Sequence, residues 1–243
     1  MPIRRLFHRV VRALRRPDPT AGFGELRYQR LNHRRLEHLA SLGLDVAGRS
    51  VLEVGAGPGD LTHFFIDRDC RVTTSDGRRN NLAALAARYP GKTRLLDLEH
   101  PDRLLTDTFD IVFAYGILYH LSDPTLALAY LSARCGDLML IETCVTPGAG
   151  EELHPVPEKA SSAGQSIHGT GCRPTRAWFL RRLVQHFAHV YVPVTQPWHE
   201  QFPLDWTRAA PEKLLTRSIF IASRRPIDNP LLATALTDHQ RRH

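Results

Sequence analysis

The sequence predicts an α/β protein built on a doubly wound sheet of seven strands, most of them parallel. From residue 45 onward, short apolar segments alternate with helical segments, as in parallel βαβ units. A glycine-rich turn directly follows the first apolar segment. The last two strand segments are joined by an aromatic, Pro-rich connection (residues 197–211) that is too short for a crossover helix. The last strand should therefore be antiparallel.

The same alternation predicts each element in order. Strands are predicted over residues 50–54, 71–75, 93–96, 109–115, 137–145, 189–194 and 216–223. Helices are predicted over residues 25–42, 60–68, 80–89, 124–134 and 174–187. Residues 146–172 contain five glycines and three prolines without an apolar period, which predicts a lid or a substrate-binding insertion. The chain is thus divided into a basic arm with its helix (1–44), one sheet domain (45–224) and a surface tail (225–243).

The basic charge of the chain is concentrated at one end. The formal net charge is +7, but residues 1–35 hold ten arginines against two acidic residues, which leaves −1 for the remainder. This distribution argues against a nucleic-acid-binding core. Residues 1–16 place apolar side chains at helical spacing between arginines. This segment either packs on the domain or on another subunit, lies on a membrane surface, contacts RNA or serves as a targeting peptide.

The composition also excludes several classes of protein. The longest stretch without charged or strongly polar residues is nine residues, 111–119, whereas a membrane-spanning helix needs about twenty. The four cysteines form no CxxC pair and show no metal-ligand spacing. They predict reduced thiols, a cytoplasmic location and no metal site.

The strongest functional signal is the turn after the first strand, Glu53-Val54-Gly55-Ala56-Gly57-Pro58-Gly59. Glycines permit a tight turn and the close approach of a ligand, and a helix that begins there offers free amides. Asp76 ends the second strand 21 residues after Gly55, where a carboxylate accepts the ribose hydroxyls of an adenosine. Asp97-Leu98 follows the third strand, within reach of an adenine. The order of these motifs indicates an adenosyl cofactor.

These motifs resemble, in order and spacing, those of the class I S-adenosylmethionine-dependent methyltransferases, over about residues 45–224. The resemblance implies S-adenosylmethionine as the cofactor, with the three glycines beside its methionine moiety, Glu53 organising that end and Asp76 on the ribose. The predicted cofactor-binding set is Tyr28, Glu53, Gly55, Ala56, Gly57, Gly59, Asp76, Gly77, Asp97, Leu98 and Tyr115. The GxGxG spacing disfavours a nicotinamide dehydrogenase. A Rossmann-like domain with an empty site remains the alternative, and Tyr28 has the alternative of being a surface residue.

The segment after the fourth strand supplies the predicted catalytic residue. Leu118-Tyr119-His120-Leu121-Ser122-Asp123-Pro124 resembles a stretch of a bacterial subgroup of these methyltransferases, which acts on small molecules, glycans and a tRNA wobble base. His120 is the predicted general base, because an imidazole pKa of about 6.5 suits proton removal near neutrality. The alternative is that His120 caps or braces this loop. Tyr115 is expected to shelter the sulfonium of the cofactor.

The residues at the end of the insertion and just beyond it are predicted to bind substrate. Arg173 and Arg176 flank a predicted helix start and suit an anionic group, with His168 as a further polar contact. A plain helix cap with solvated arginines is the alternative. The predicted function is O-methylation of a small-molecule or glycan acceptor. An RNA-modifying methyltransferase that uses the arginine arm is the runner-up, although nucleic acid is not the expected partner, and residues 1–16 would make any peripheral membrane contact. A third possibility is a non-catalytic cofactor-binding protein; the oligomeric state is not predicted.

Overall fold

A computed structural model describes residues 20–89, 91–101, 105–208 and 214–243. The predicted amphipathic helix over residues 1–16 lies outside the described residues. Among those that are described, no helix combines the length and the apolarity that crossing a bilayer requires.

Seven of the twelve strands in the described part of the chain coincide closely with the segments that the apolar pattern predicts. In chain order they are β1 (Ser50–Val54), β2 (Arg71–Asp76), β3 (Lys92–Leu95), β4 (Phe109–Tyr115), β5 (Cys135–Val145), β6 (Leu153–Pro157), β7 (Thr170–Pro174), β8 (His189–Pro193), β9 (Thr195–Gln196), β10 (Thr216–Ser223), β11 (Leu232–Ala233) and β12 (Arg241–Arg242). The central strands are buried on both faces, because helices and loops cover both sides of the sheet.

The main sheet has the order β11-β8-β10-β5-β4-β1-β2-β3. Strands β1 to β5 are parallel to one another, and β10 is antiparallel to both β5 and β8. The predicted mostly parallel sheet with an antiparallel last strand is therefore confirmed. The sheet has eight strands rather than seven, because β11 adds an antiparallel edge to β8.

Five helices flank this sheet in the described part of the chain. They are α1 (Leu26–Ser41), α2 (His63–Ile66), α3 (Arg79–Arg88), α4 (Thr125–Ser132) and α5 (Arg176–Leu183). Helix α2 is much shorter than the predicted 60–68. The glycine turn continues to Gly59, whose φ is +88°. The backbone then forms tight turns closed by hydrogen bonds between residues three positions apart, such as that from the amide of Phe64 to the carbonyl of Leu61. Asp69, at φ +56°, ends the segment.

The region predicted as an irregular insertion contains a β-hairpin. Strands β6 and β7 pair antiparallel, from Leu153 opposite Pro174 to Pro157 opposite Thr170. Residues 158–169 connect them and form the insertion loop. The hairpin ends at Thr175, whose side chain accepts a hydrogen bond from the amide of Trp178 and caps α5.

The C-terminal residues, expected to form a surface tail, return to the body of the protein. Strand β11 extends the main sheet, and β12 pairs with β9. Asn229 donates a hydrogen bond to the carbonyl of Leu42 at 2.7 Å, and Gln240 accepts one from Trp206 at 2.6 Å. Pairing the backbone in this way satisfies polar groups that an apolar pattern does not reveal.

Candidate functional site

The site is built at the point where the strand order reverses between β1 and β4, which is where open α/β sheets bind ligands. The glycine turn leaves β1 there. Gly55 and Gly57 have φ values of +64° and +56°, a region that other residues rarely adopt. Gly59 faces away: a Cβ on it would lie 2.6 Å from Leu85 of α3. Two of the three glycines therefore face the site, and the third allows the turn to pack on a helix.

The turn opens on a narrow space with two adjoining compartments of about 80 and 40 Å³, which together form the glycine-turn cavity. The structure brings most of the predicted cofactor residues and His120 to its walls. Those that line it are Tyr28, Gly55, Gly57, Asp76, Gly77, Asp97, Leu98, Tyr115 and His120. Glu53, Ala56 and Gly59 do not line it. The amide of Ala56 is used within the fold, where it donates to the carbonyl of Ser75 at 2.9 Å.

Asp76 ties the glycine turn to the end of β2. Its Oδ2 accepts the amide of Gly57 at 2.9 Å, and its Oδ1 accepts the amide of Arg78 at 2.8 Å and Nδ2 of Asn81 at 3.2 Å. Burial raises the pKa of Asp76, although these three N–H groups act in the opposite direction. A carboxylate offers about four acceptor positions, so one remains for a ligand.

Glu53 is buried at the end of β1, next to the turn. It accepts a hydrogen bond from the hydroxyl of Thr62 at 2.7 Å. Burial raises the pKa of Glu53 to about 7, and the hydrogen bond offsets only part of that rise. Glu53 is therefore about half protonated near neutral pH. It lies next to the glycine turn but does not line the cavity.

A buried charged network adjoins the glycine-turn cavity. Glu142 of β5 is fully buried and pairs with Arg35 of α1 at 2.6 Å and with Arg217 of β10 at 2.9 Å. Two cations on one carboxylate give the network a surplus positive charge. Three buried groups there have no hydrogen-bond partner among the described residues: Nε of Arg35, Nδ2 of Asn32 and the hydroxyl of Tyr115. Unpartnered groups of this kind cost free energy unless a ligand satisfies them.

His120 is paired with an acid of the insertion loop. Its Nδ1 lies 2.5 Å from Oε2 of Glu158, which also accepts the amide of Ser166. Burial lowers the pKa of His120 more than Glu158 raises it. The pKa of Glu158 is also lowered: burial raises it, but the hydrogen bonds from His120 and the amide of Ser166 and the charge of Arg173 act in the opposite direction. The pair is thus a neutral imidazole that donates from Nδ1 to a carboxylate, which leaves Nε2 as a free acceptor.

The insertion loop covers the glycine-turn cavity. Nη2 of Arg78 donates to the carbonyls of Ala160, Gln165 and Ser166, at 2.8 to 3.1 Å. Ile167 is packed on Gly77, where an added Cβ would lie 2.2 Å from its Cδ1. The predicted lid thus lies directly over the ends of β2 and β3.

The predicted substrate residues do not form one site. Arg173 donates to the carbonyls of Tyr119 and Cys172 and lies 3.5 Å from Glu158, beside the His120 pair. Arg176 lines a different cavity. His168 is bonded to Asp97, with 2.8 Å between Nε2 and Oδ2. The anion site predicted from Arg173 and Arg176 is therefore split between two places, because β7 ends between them.

One cluster on the cavity rim contains possible metal ligands. The ligand atoms of Asp97, His100 and His168 lie within 4.8 Å of one another, and both histidines are exposed. The hydrogen bond between Asp97 and His168 accounts for the proximity of two of them. The arrangement of these three side chains therefore does not require a metal ion.

Sequence reasoning missed several residues of the site. Arg35 follows Tyr28 and Asn32 at positions i, i+4 and i+7, so the helical face of α1 contained a usable signal. Glu158 and Ile167 carried none, since they lie in an irregular insertion and reach the site only through the β6–β7 hairpin.

Comparison with known proteins finds matches for the part of the chain that contains the glycine turn. Residues 52–137 match the family model of a methyltransferase domain. A tRNA U34 carboxymethyltransferase of Dichelobacter nodosus is 32% identical over 124 residues, which are 49% of this chain and 40% of the relative. The chain thus spans less than half the length of that curated relative.

Solved structures share the fold at low sequence identity. The N-terminal domain of EvdMO1 with SAH bound has a TM-score of 0.60 at 18% identity, covering 80% of this chain and 81% of that one. The magnesium protoporphyrin IX methyltransferase of Synechocystis PCC 6803, with bound SAM, has a TM-score of 0.53 at 13% identity, covering 82% and 80%. At these identities the similarity establishes the fold alone.

Proposed function

We propose that this chain is a class I S-adenosylmethionine-dependent methyltransferase that transfers a methyl group to an oxygen atom of a small metabolite or glycan. One observation carries the proposal: His120, hydrogen-bonded to Glu158, lines the same cavity as the glycine turn and Asp76. A general base next to an adenosyl-type site suits an acceptor hydroxyl, whose proton has to be removed.

The residues of the glycine-turn cavity fit S-adenosylmethionine. Asp76 keeps one acceptor position for a ribose hydroxyl. The unpartnered donors of Arg35 and Asn32 suit a carboxylate such as that of the methionine moiety. Gly55 and Gly57 leave the turn without side chains on the cavity wall. When bound, this cofactor supplies the methyl group from its sulfonium.

The chain itself positions the acceptor and removes its proton. Glu158 fixes the imidazole of His120 with Nδ1 as the donor, so Nε2 can accept a hydrogen from an acceptor hydroxyl. Arg173 and Ser166 hold Glu158 in turn. The insertion loop packs over the cavity, and alignment of two reactants in a closed site contributes about 7–11 kcal/mol to catalysis.

Cofactor binding is tested by calorimetric titration of S-adenosylhomocysteine into wild type and Asp76→Ala. The variant should bind at least tenfold more weakly, as expected for the loss of charge-assisted hydrogen bonds of about 1.5–3 kcal/mol. Asp110→Ala, at the far end of the strands, is the matched control and should bind normally. Equal affinity of Asp76→Ala and wild type would remove Asp76 from the site.

Methyl transfer is tested with isotopically labelled S-adenosylmethionine and a cell extract, followed by mass spectrometry of the products. Label should appear on a hydroxyl-bearing small molecule or glycan. His120→Ala should lower turnover far more than cofactor affinity, and Glu158→Gln should shift the pH profile of turnover. Label found only on RNA would reject the small-molecule acceptor, and identical activity of His120→Ala across the pH range would reject the base.

A second candidate function is RNA modification, which the tRNA-modifying relative favours. The ten arginines of residues 1–35 are the feature that would contact phosphates. Binding of a tRNA pool should then weaken steeply between 50 and 200 mM salt, by about 10³-fold or more. A small-molecule enzyme should show turnover that is nearly independent of salt.

A further inference from the structure

A second cavity lies on the outer side of the β6–β7 hairpin, away from the glycine turn. It measures about 640 Å³ and is lined by residues that include Gly148, Arg176, Trp206, Arg208 and Asp238. This volume lies within the range of about 300–1,000 Å³ that is typical of small-molecule sites. The lining residues of this cavity and those of the glycine-turn cavity are different. Neither the glycine turn nor His120 lines this cavity.

Arg176 is the unusual feature of this cavity. The residue is only 5% exposed, and no described acidic side chain forms an ion pair with it. Nη1 donates to the carbonyl of Thr237 at 3.0 Å, whereas Nε and Nη2 are buried and have no hydrogen-bond partner among the described residues. Burial lowers the pKa of Arg176 to about 10, and the charge of Asp238 offsets only part of this effect. A buried cation that forms no ion pair and leaves two N–H groups unsatisfied is costly in a fold that has no further use for it.

The unpartnered atoms define the chemistry of a ligand. Nε and Nη2 form one edge of the planar guanidinium, and their N–H groups bond in parallel to the two oxygens of a carboxylate or phosphate. The ring of Trp206 covers one face of the guanidinium, with 4.0 Å from Cζ to the ring centroid. This contact holds the group in place without using its edge.

We propose that the cavity around Arg176 and Trp206 is a binding site for an anionic group, a phosphate or a carboxylate, of a small molecule. In this proposal the Nε–Nη2 edge of Arg176, which is buried in the structure without a ligand, bonds to that group, and Trp206 packs on one face of the guanidinium. The site is separate from the glycine-turn cavity, so its occupancy does not depend on the cofactor.

Thermal unfolding in titrations of inorganic phosphate and of acetate, at constant ionic strength and without cofactor, tests this proposal. Wild type and the control Arg181→Gln, an exposed arginine of the same helix, should gain about 5–10 °C in Tm when the preferred anion reaches 100 times its Kd. The ratio of the two Kd values assigns phosphate or carboxylate. No response of wild type to either anion, or an equal response of Arg176→Met, would overturn the proposal.

The behaviour of Arg176→Met without anion separates a binding role from a structural one. If Arg176 serves to bind a ligand and does not stabilise the fold, its replacement by an apolar side chain of similar length should leave Tm equal or higher. A drop of Tm by 5 °C or more would make the arginine structural and overturn the proposal. Glu212→Gln is a second control. Glu212 lies outside the described residues, so its pairing with Arg176 has to be tested by experiment. An anion response seen only in Glu212→Gln would identify that carboxylate as the partner of Arg176, with the same consequence.

Discussion

At the scale of single residues, Glu53 links the glycine turn to a measurable pH dependence. Its pKa is about 7 in the fold because it is buried, against an ordinary value of 4.5. The folded state therefore binds a proton that the unfolded state releases, and stability contributed by Glu53 is complete below pH 4.5 and is lost as the pH rises through about 7. We expect the free energy of unfolding of wild type to fall over this interval relative to Glu53→Gln.

Urea unfolding of both proteins at several pH values between 4.5 and 8 measures that difference. Glu151→Gln, which alters an exposed carboxylate, is the control and should follow the wild-type profile. Parallel profiles for wild type and Glu53→Gln would show that Glu53 ionises in the fold as it does in the unfolded chain.

Gly55 is the glycine for which the structure predicts the largest cost of substitution. A Cβ there would lie 2.7 Å from Cβ of Ile117, an atom that no side-chain rotation can move, and φ is +64°. Gly43 has nearly the same φ, +61°, but nothing within 4 Å. Gly43→Ala should cost about 1–2 kcal/mol of backbone strain, and Gly55→Ala about 1–3 kcal/mol more for the collision. Equal losses in urea unfolding would mean that Ile117 does not restrain the turn.

At the scale of elements, the insertion loop controls access to the glycine-turn cavity. Its compartments of about 80 and 40 Å³ are far smaller than the roughly 300 Å³ expected for a ligand pocket. Ile167 of this loop is packed on Gly77, beside Asp97 and Leu98. Residues 158–169 must therefore move outward before an adenosyl group enters.

Ile167→Ala should accelerate entry of the cofactor, because it shortens the side chain that fills the space next to Gly77. Stopped-flow binding of S-adenosylhomocysteine should show an association rate several-fold above wild type. Ile66→Ala is a matched control, since Ile66 is 41% exposed and Ile167 is 37% exposed, and Ile66 does not line the cavity. An association rate at or below the wild-type value would contradict gating by this loop.

The elements also show which parts of the site a sequence pattern can predict. The glycine turn and Asp76 were predicted because a buried strand followed by glycines, and a strand ending in an acid, are local patterns. The pairing of Glu158 with His120 was not predicted, because 38 residues separate the two and a hairpin without an apolar period brings them together. The length of helix α2 was overestimated, because residues 60–68 fit a helical period, whereas the backbone forms turns at residues 60–62 and 67–68 and is α-helical only over His63–Ile66.

At the scale of the whole molecule, the sequence predicts seven strands of the main sheet but not the pairing of the C-terminal strands β11 and β12. Seven strands follow from apolar segments such as 109–115, whose burial on both faces requires that composition. Strands β11 and β12 are two residues each, and the apolar run Leu231-Leu232-Ala233 around β11 is too short to indicate a strand. Their pairing rests on backbone and amide hydrogen bonds, which every sequence can make, so the apolar pattern predicted only a tail over residues 225–243.

The role of these C-terminal residues in stability leads to the last prediction. Gln240 accepts hydrogen bonds from Trp206 at 2.6 Å and from the buried Gln196 at 2.8 Å. A chain that ends at residue 234 removes the partner of Trp206 and leaves the amide of Gln196 with only the carbonyl of Pro203, at 3.3 Å. Each lost hydrogen bond of this kind costs about 1–3 kcal/mol. With about 2–4 °C for each kcal/mol in a protein of this size, its Tm should fall by at least 5 °C.

Calorimetric scans of the shortened chain, of Gln240→Ala and of Arg241→Ala measure how the loss is distributed. Gln240→Ala should show a smaller loss than the truncation, because β12 still pairs with β9. Arg241→Ala alters an exposed side chain of the same strand and should unfold as wild type does. If the shortened chain kept the wild-type Tm, residues 235–243 would be an appendage, and the closure of the molecule would depend on β11 alone.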